Sequence, residues 1–480
     1  MIKRQLEENG YAVIAHETGE IPDGEEDRFI TSMPAALSYL PTMLRPAAEG
    51  KPTRECWWAL YDWAYLHGWQ QQAMRAVQGL FHRNRPVPLS PELVRKLYAP
   101  DGTLRGSVTK FEQYRSCPFA YFSRYGLQLE ERPLYRFAAP DLGMLVHGAL
   151  RILGEKLLQE GKQWYDLQDA DIPTLCREAT ETLAPDVQHN ILMSNAYFGQ
   201  IKERLIQTLI RTVRHLREFS AVSNFHMAGL EKSFGRNHSP WKAVQFTLPN
   251  GMSVVVSGQI DRVDTMCTDT TQYVVVIDYK SGRKQLDLSE VFTGLELQLL
   301  TYMQAALQNM GDTAAPAAVL YCYVRNDKTS LDYRVDDATK KKLYDKNSKL
   351  RGFYLDDSQI MKALDTSIKD YSAFLNIRMK KDGTFSNTSH VMYDAHGWRQ
   401  LLRVSQNRLY EIAQKITAGD ISIHPMRLGQ KSPCQYCPYH AVCRFDIQMK
   451  ENTYDVTDKA DAEEWLKKIY EEGDDTHGLD

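Results

Sequence analysis

The chain has 480 residues, of which 43% are hydrophobic and 25% are charged, and its formal net charge is −3. These proportions are ordinary for a soluble globular protein of about three domains, and the near-neutral charge excludes a globally basic nucleic-acid-binding surface. No apolar run is long enough to cross a membrane, and the opening residues lack the apolar core of an export signal. We therefore expect a cytoplasmic, reducing environment, in which the eight cysteines favour metal binding over disulfides.

Residues 1–106 are predicted to be mainly helical. An aromatic-rich segment runs from Trp57 to Phe81, and Ser90-Pro91 is typical of a helix start, with a capping serine and a proline in the first turn. The chain contains no Gly-rich phosphate loop followed by Lys-Ser or Lys-Thr. We interpret the aromatic segment as a core, or as a docking region left from a longer domain, rather than as a cofactor site.

A second helix is predicted from Ser107, and it leads to Cys117 and Pro118 in an aromatic setting. Taken alone, this cysteine is typical of a small buried apolar residue. His147 follows among glycines at the start of a helix that ends near Leu158. A single histidine near an apolar face is more often structural than a ligand.

A long helix is predicted from Ala196 to Phe219, with one apolar face. Basic residues on its other faces form either an ordinary solvated surface or a track that contacts phosphates. These residues are Lys202, Arg204, Arg211, Arg214 and Arg217.

Four strands are predicted next, at about 226–234, 244–248, 252–265 and 272–280. In the fourth strand, Asp278 and Lys280 project from one face and Tyr279 from the other. If the last two strands form a hairpin centred near residues 269–270, Asp261 lies opposite Asp278, and two carboxylates on one face favour a bridging divalent cation. A slip of one residue would move Asp261 to the other face, and the fourth strand alone is equally compatible with a simple ion pair.

A helix from about residue 291 to residue 310 follows these strands. Gln298 and Tyr302 are four residues apart in it, so they share a face. Residues 315–325 are typical of another buried strand. The order of helix, strands, helix and strand indicates a mixed α/β layer.

Residues 335–419 are predicted to be mostly helical. They contain basic clusters at 340–342 and 378–381, which we interpret as solvated surface. The acid-rich tail from residue 461 is predicted to be a solvent-exposed helix or a frayed end.

Three cysteines occur within ten residues near the end of the chain, namely Cys434, Cys437 and Cys443. This clustering strongly indicates a metal site. A zinc ion could take His440 as its local fourth ligand, whereas a 4Fe–4S cluster takes a fourth thiolate, which must come from elsewhere. Cys117 is the candidate for that thiolate, because a proline follows it as one follows Cys437. The link would close the intervening domain like a staple.

Together these residues resemble the motifs of RecB-family PD-(D/E)xK nucleases. The motifs are His147, residues 258–264, residues 278–281 and residues 298–302. The four cysteines resemble the iron–sulfur staple of the AddB subunits of bacterial AddAB helicase–nucleases. The resemblance covers about residues 107–446. The four-cysteine CRISPR-associated nucleases are a second match, with less room for helical inserts.

The resemblance implies a restriction-endonuclease-like α/β fold, in which helices flank a mixed sheet, with a helical N-terminal segment and a four-cysteine cluster staple. The implied divisions are a helical remnant of a helicase-like region at 1–106, a first cluster-ligand segment at 107–140, the nuclease domain with helical inserts at 141–420, the cysteine segment at 421–446 and the acidic tail at 447–480.

The resemblance also implies roles for individual residues. Mg²⁺ or Mn²⁺ would be bound by His147, Asp261, Asp278 and the backbone carbonyl of Tyr279. Lys280 would orient or activate the attacking water, Gln298 and Tyr302 would position the DNA strand, and Glu231 would be an acid just behind the cation ligands. A 4Fe–4S cluster would be bound by Cys117, Cys434, Cys437 and Cys443.

The implied function is metal-dependent exonuclease activity on the 5′-ended DNA strand during the recombinational repair of double-strand breaks. A heterodimeric partner, the AddA helicase subunit, is implied as well. Because whole AddB subunits carry helicase-like domains ahead of the nuclease, we expect this chain to be a fragment, which leaves any ATP-linked role open. An alternative is a DNA-end-binding structural subunit with a decayed nuclease site. The enzyme is favoured because all four central residues of the motifs are present, namely His147, Asp261, Asp278 and Lys280.

Overall fold

The chain divides between residues 85 and 86 into two units. The structure is a computed structural model that describes residues 5–6, 8–10, 21, 24–81, 83–132, 134–282, 286–324, 336, 347–449, 451–457 and 461–474. The helices of the first unit are α1 (Met33–Ala48), α2 (Glu55–Leu66) and α3 (Gln70–Gln78). None of the described helices combines the length and the apolar character that a bilayer crossing requires.

The second unit contains both helices and strands. Its helices are α4 (Pro91–Tyr98), α5 (Val108–Ser116), α6 (Pro118–Tyr121), α7 (Ala139–Gln159), α8 (Ile172–Leu183), α9 (Ala196–Val222), α10 (Leu288–Thr293), α11 (Gln298–Met310), α12 (Ser358–Leu364), α13 (Ala395–Thr417), α14 (His440–Cys443) and α15 (Ala462–Asp474). Its strands are β1 (Thr103–Ser107), β2 (His226–Phe234), β3 (Val244–Thr247), β4 (Ser253–Cys267), β5 (Gln272–Lys280), β6 (Ala314–Tyr323), β7 (Arg351–Leu355), β8 (Met392–Tyr393), β9 (Met426–Leu428) and β10 (Asp455–Thr457).

The first unit has a small core of its own. Trp57 on α2 is fully buried with Leu40 and Leu44 of α1, because apolar residues three and four apart share one helix face. The neighbouring Trp58 and Trp63 are 43% and 47% exposed. The aromatic segment therefore divides between a core and a surface.

The boundary between the units differs from the sequence-based division at residue 106. Ser90 caps α4 as predicted, since its hydroxyl accepts a hydrogen bond from the Leu93 N–H at 3.3 Å. However, α4 belongs to the second unit, and so does β1, a strand that the sequence analysis missed. Only five residues long and flanked by helices, β1 carries too little periodicity to be predicted.

A mixed sheet forms the centre of the second unit. Its strand order is β1-β4-β5-β6-β7-β8, with β2 and β3 also paired to the 15-residue strand β4. The pairs of β4 with β2, β3 and β5 are antiparallel, whereas β1–β4 and β5–β6 are parallel. The parallel β5–β6 pair needs a crossover connection, which α10 and α11 provide. The predicted α/β class with a mixed sheet is confirmed.

Helices flank this sheet. The helix α11 packs against β5 and β6, and α7 packs against β2. Residues 274–277 of β5 are buried almost completely, which accounts for their unbroken run of β-branched side chains. The end of β5 beyond this run is where Asp278 and Lys280 lie.

Two predictions for the C-terminal half were wrong in part. Among the residues that the structure describes between 335 and 419, fewer than half are helical. These helical residues are 347–348, α12 and α13, while the strands β7 and β8 extend the sheet. The tail forms a helix as predicted, but this helix is not simply exposed, because Trp465 and Ile469 of α15 are buried in the main core. The basic cluster at residues 340–342 lies outside the described residues.

Candidate functional site

The β4–β5 hairpin brings Asp261 and Asp278 together. Arg262 pairs with Ile277 in the ladder, so the next positions outward are Asp261 and Asp278. The Tyr279 N–H donates a hydrogen bond to Asp261 Oδ2 at 2.8 Å, which joins the two strands at this point. The predicted hairpin register is confirmed, and both aspartates are buried at one end of the hairpin.

Two side chains stabilise the buried negative charge of Asp278. Lys280 Nζ lies 2.6 Å from Asp278 Oδ2, and Gln298 Nε2 donates to Asp278 Oδ1 at 2.9 Å. Lys280 also donates to Gln298 Oε1 at 3.2 Å. Burial raises the pKa of Asp278 to about 6, the charge of Asp261 adds to this effect, and Lys280 opposes it. The ion pair and the hydrogen bonds thus hold a carboxylate that burial alone would disfavour.

His147 and Glu231 approach Asp261 from other elements. His147 lies well inside α7 rather than near its start, and its Nδ1 is 3.2 Å from Asp261 Oδ2. Ligand atoms of His147, Glu231 and Asp261 all lie within 4.8 Å of one another. Burial raises the pKa of Glu231 to about 7, and the charge of Asp261 raises it further. Burial lowers the pKa of His147, but the hydrogen bond and the charge of Asp261 outweigh this effect, so the pKa of His147 is raised. The protonation of both groups therefore depends on the charge of Asp261.

Glu231 reaches this position through an irregular strand. The β2–β4 register shifts between Met227 and Gly229, and the pairs on either side of Glu231 place it opposite Asp261. Its φ is +46°, a left-handed conformation that a non-glycine residue rarely adopts in a strand. Strain of this kind concentrates at functional sites. Residue alternation does not predict this bulge, and the placement of Glu231 just behind the cation ligands was implied by the family resemblance alone.

Tyr302 completes the site on α11. Gln298 Nε2 also donates to the Tyr302 hydroxyl at 3.1 Å, so the two residues share a face as predicted. The Tyr302 ring packs edge-on against Phe234 of β2. Every predicted member of the nuclease site is thus among the described residues and lies at this end of the sheet.

The opposite face of the hairpin carries a buried ion pair that the sequence analysis left without a role. Arg262 donates two hydrogen bonds to Asp264, both at 2.7 Å, and the residues are 1% and 2% exposed. The Tyr279 side chain is buried beside Arg262, whose charge opposes the rise in the pKa of Tyr279 that burial causes. This pair anchors β4 directly beneath the acidic site.

The four predicted cluster ligands line one cavity. Cys117, at the end of α5, shares it with Cys434, Cys437 and Cys443, and His440 lines the same cavity. Burial raises the pKa of the Cys117 thiol to about 12, and the neighbouring thiols of Cys437 and Cys434 add to this effect. These four sulfur atoms fit an iron–sulfur cluster or a zinc ion, because both are bound by thiolates and stabilise the deprotonated form of each cysteine.

Two of the basic residues of α9 form hydrogen bonds within the chain. Arg214 forms a two-bond pair with Asp169 at 2.9 and 3.1 Å, and Arg217 donates to the Leu167 carbonyl at 2.6 Å. For Arg214 and Arg217, these contacts favour an ordinary surface role over binding to DNA phosphates.

The donor set at the hairpin suits a hard divalent cation. Carboxylate and carbonyl oxygens are the ligands that Mg²⁺ prefers, and a histidine is compatible with Mn²⁺. His147, Glu231 and Asp261 present such atoms within 4.8 Å of one another, a group that does not include Asp278. Asp278 lies on the neighbouring strand, where its oxygens face the ammonium group of Lys280 and the amide of Gln298. The arrangement can therefore bind a cation and hold a positive charge next to it.

Comparisons with known proteins agree with this geometry. The family model of the PD-(D/E)XK nuclease superfamily matches residues 105–444, and that of the ATP-dependent helicase/deoxyribonuclease AddB fifth domain matches residues 22–79. The B subunit of the ATP-dependent helicase/deoxyribonuclease of Bacillus pumilus (strain SAFR-032) is 31% identical over 460 residues, which are 95% of this chain and 39% of that protein.

Two further relatives with the same name are from Bacillus mycoides (strain KBAB4) and Bacillus cereus (strain AH187). Each is 32% identical over 484 residues, covering 98% of this chain and 41% of the relative. The chain thus spans about two fifths of the length of these relatives. Because the nuclease model covers most of the chain and its site residues converge, the chain belongs to the PD-(D/E)XK nuclease superfamily.

Proposed function

We propose that this chain is the metal-dependent DNA exonuclease part of the B subunit of a helicase–nuclease, and that it hydrolyses phosphodiesters at double-strand-break ends. The observation that carries the proposal is the convergence of His147, Asp261, Asp278 and Lys280 at one end of the β4–β5 hairpin. Cation-binding carboxylates next to an ammonium group suit attack on an anionic phosphodiester, because negative charge develops on its oxygens.

The cation in this proposal is Mg²⁺ or Mn²⁺. His147, Asp261, Asp278 and the Tyr279 carbonyl would hold it, and Glu231 is close enough to His147 and Asp261 to contribute. When bound, the ion supplies a Lewis acid that neutralises phosphate charge and lowers the pKa of water.

The side chains of the site then have distinct tasks. Lys280, held by Asp278 and Gln298, would orient the attacking water and stabilise developing charge. Gln298 and Tyr302 would position the DNA strand from α11. Because Gln298 contacts both Asp278 and Lys280, it also fixes the relative position of these two groups.

We further propose that the cysteine cavity holds a 4Fe–4S cluster. Support comes from the position of Cys117, which lines the same cavity as the three C-terminal cysteines although it is more than 300 residues away in sequence. The alternative is zinc with His440 as the fourth ligand, which the shared cavity also favours.

The proposed partners are DNA and a helicase subunit of the AddA type, in the cytoplasm. Support comes from the names of the relatives, which describe the B subunit of an ATP-dependent helicase/deoxyribonuclease, and from the AddB fifth-domain match at residues 22–79. The 5′-ended strand is the proposed substrate, and single-stranded DNA would reach the site from a duplex end.

An assay on end-labelled linear DNA with Mg²⁺ tests the proposal. We expect Asp278→Ala to abolish degradation, because it removes a proposed cation ligand and the ion-pair partner of Lys280. Asp269→Ala, at the exposed turn of the same hairpin, is the matched control and should match the wild type. Degradation by Asp278→Ala at the wild-type rate would refute the assignment. A wild type that binds DNA ends without degrading them, alone and with a helicase subunit, would favour the structural alternative.

A further inference from the structure

The first turn of α11 is capped from a distant part of the chain. Leu297 occupies the N-cap position of α11, and its apolar side chain offers no oxygen to the free N–H groups of the helix. Instead, Glu112 Oε1 accepts hydrogen bonds from the Leu297 N–H at 2.7 Å and from the Gln298 N–H at 3.0 Å. A carboxylate at this position also complements the positive end of the helix dipole.

This cap acts on a residue of the nuclease site. Gln298 is the first residue of α11, so the hydrogen bond to its backbone lies directly behind the side chain that contacts Asp278 and Lys280. A shift of the first turn would therefore withdraw the amide group from both partners. Misplacements of about 1 Å in such positions can lower rates about 10²-fold.

Glu112 belongs to α5, whose C-terminal end carries Cys117. The helix is nine residues long, and Cys117 occupies its C-cap. Between these two residues, Arg115 donates to the Thr293 carbonyl at 2.6 Å and to Asp455 Oδ2 at 2.5 Å. The same short helix thus contacts the first turn of α11, the end of α10 and strand β10, which follows the C-terminal cysteines.

We propose that α5 is a positioning element that couples the four-cysteine site to the nuclease site. Glu112 is a positioning residue that fixes the first turn of α11 and hence Gln298. Cys117 and Arg115 hold α5 in place. Binding of a metal group by the four cysteines would therefore stabilise the hydrogen bonds between Glu112 and the first turn of α11. The effect on DNA cleavage rests on the function proposed above, whereas the effect on α11 does not.

Hydrogen–deuterium exchange of the purified chain tests the positioning without relying on activity. Loss of a helix cap typically increases local opening about fivefold. We expect Glu112→Ala to raise exchange by that factor in a peptide spanning residues 295–302. Glu112→Gln retains an acceptor oxygen and should restore slow exchange. Glu112→Asp, which keeps the charge but withdraws the oxygen, replaces Glu112→Ala if that variant does not fold.

Asp357→Ala provides the matched control. Asp357 caps α12 by accepting from the Gln359 and Ile360 N–H groups at 2.8 and 3.1 Å. Its loss should raise exchange in α12 alone. Unchanged exchange at residues 295–302 in Glu112→Ala and Glu112→Asp would overturn the positioning role.

The coupling is tested with Cys117→Ser, which changes the far end of α5. We expect exchange at residues 295–302 to rise in this variant as well, and unchanged exchange there would overturn the coupling.

In nuclease assays, Glu112→Ala should lower kcat about tenfold or more with little change in KM, and Glu112→Gln should restore kcat. An inactive wild type would refute the proposed function, while the exchange data would still decide the positioning role.

Discussion

The negative charges of the two buried aspartates at the nuclease site are stabilised by different partners. Asp278 faces Lys280 and Gln298, whereas Asp261 accepts a backbone hydrogen bond from Tyr279 and contacts His147. This difference separates the site into a side with an ammonium group and a side with an imidazole. A phosphodiester placed between them would meet positive charge from the lysine and from the proposed cation together.

The buried pair below the site gives a prediction about stability. Asp264→Ala leaves the Arg262 guanidinium buried without its two-bond partner, and we expect a loss of about 3–5 kcal/mol in the free energy of unfolding. The double variant Arg262→Met/Asp264→Leu removes both charges and should recover part of this loss. Urea denaturation measures both values. A loss below about 0.5 kcal/mol in the single variant would contradict the prediction.

His215 gives a prediction about pH. Burial lowers the pKa of His215 from 6.5 to about 4, while a backbone hydrogen bond at Ser348 acts in the opposite direction. The unfolded chain therefore binds this proton more readily, so the stabilisation is complete above pH 6.5 and is lost as the pH falls toward 4. Between pH 7 and pH 5 we expect this residue to account for a loss of about 2 kcal/mol.

His215→Leu should remove that part of the pH dependence. The measurement is the free energy of unfolding at several pH values for both proteins. Identical slopes for the variant and the wild type would show that His215 is not the source of the loss.

Residues differ in how far sequence alone predicts their place. Asp261 and Asp278 could be paired because a hairpin with a short turn fixes its register by counting outward from residues 269–270. Glu231 could not be placed opposite Asp261 without knowledge of the bulge in β2. Glu112 was missed because its partners are 185 and 186 residues away, although an N-cap leucine in α11 signals a missing local cap.

At the scale of elements, β7 shows why the strands after residue 335 were not predicted. The strand Arg351-Gly352-Phe353-Tyr354-Leu355 is short and does not alternate, and it is defined by pairing with β6. Tertiary pairing therefore outweighs local pattern here. The long strands β4 and β5 and the helix α9 were predicted closely, because their periodic patterns extend over many residues. The single helix predicted at residues 291–310 is instead two helices, α10 and α11, because Gly294 ends α10 in a left-handed conformation with φ +81°.

Gly352 gives the prediction at this scale. A Cβ atom there would lie 1.7 Å from the Val319 carbonyl oxygen of β6, a clash with backbone that a rotamer change cannot relieve. We expect Gly352→Ala to lower the free energy of unfolding by about 3 kcal/mol. Gly199→Ala, in open space on α9, is the control and should raise it by about 0.5–1 kcal/mol. Equal stability of the two variants would contradict this account of the β6–β7 pair.

At the scale of the molecule, the cysteine cavity joins segments from both ends of the second unit. We expect anaerobically purified wild type to contain iron and sulfide. Cys117→Ser should lose them and unfold at a lower temperature, because a bound metal group contributes to folding. His440→Ala and the exposed Cys267→Ser should retain them.

Zinc without iron, lost in His440→Ala and retained in Cys117→Ser, would instead establish the zinc alternative. Elemental analysis and thermal unfolding of the same samples decide between the two sites. The comparison is informative because Cys117 and His440 line the same cavity from segments far apart in the sequence.

A crystal structure of the wild-type chain with Mn²⁺ tests the central claim most directly. Anomalous scattering locates the ion without reference to activity. The account predicts a manganese peak coordinated by His147, Asp261 and Asp278 next to Lys280. A peak elsewhere, or none at saturating Mn²⁺, would contradict it.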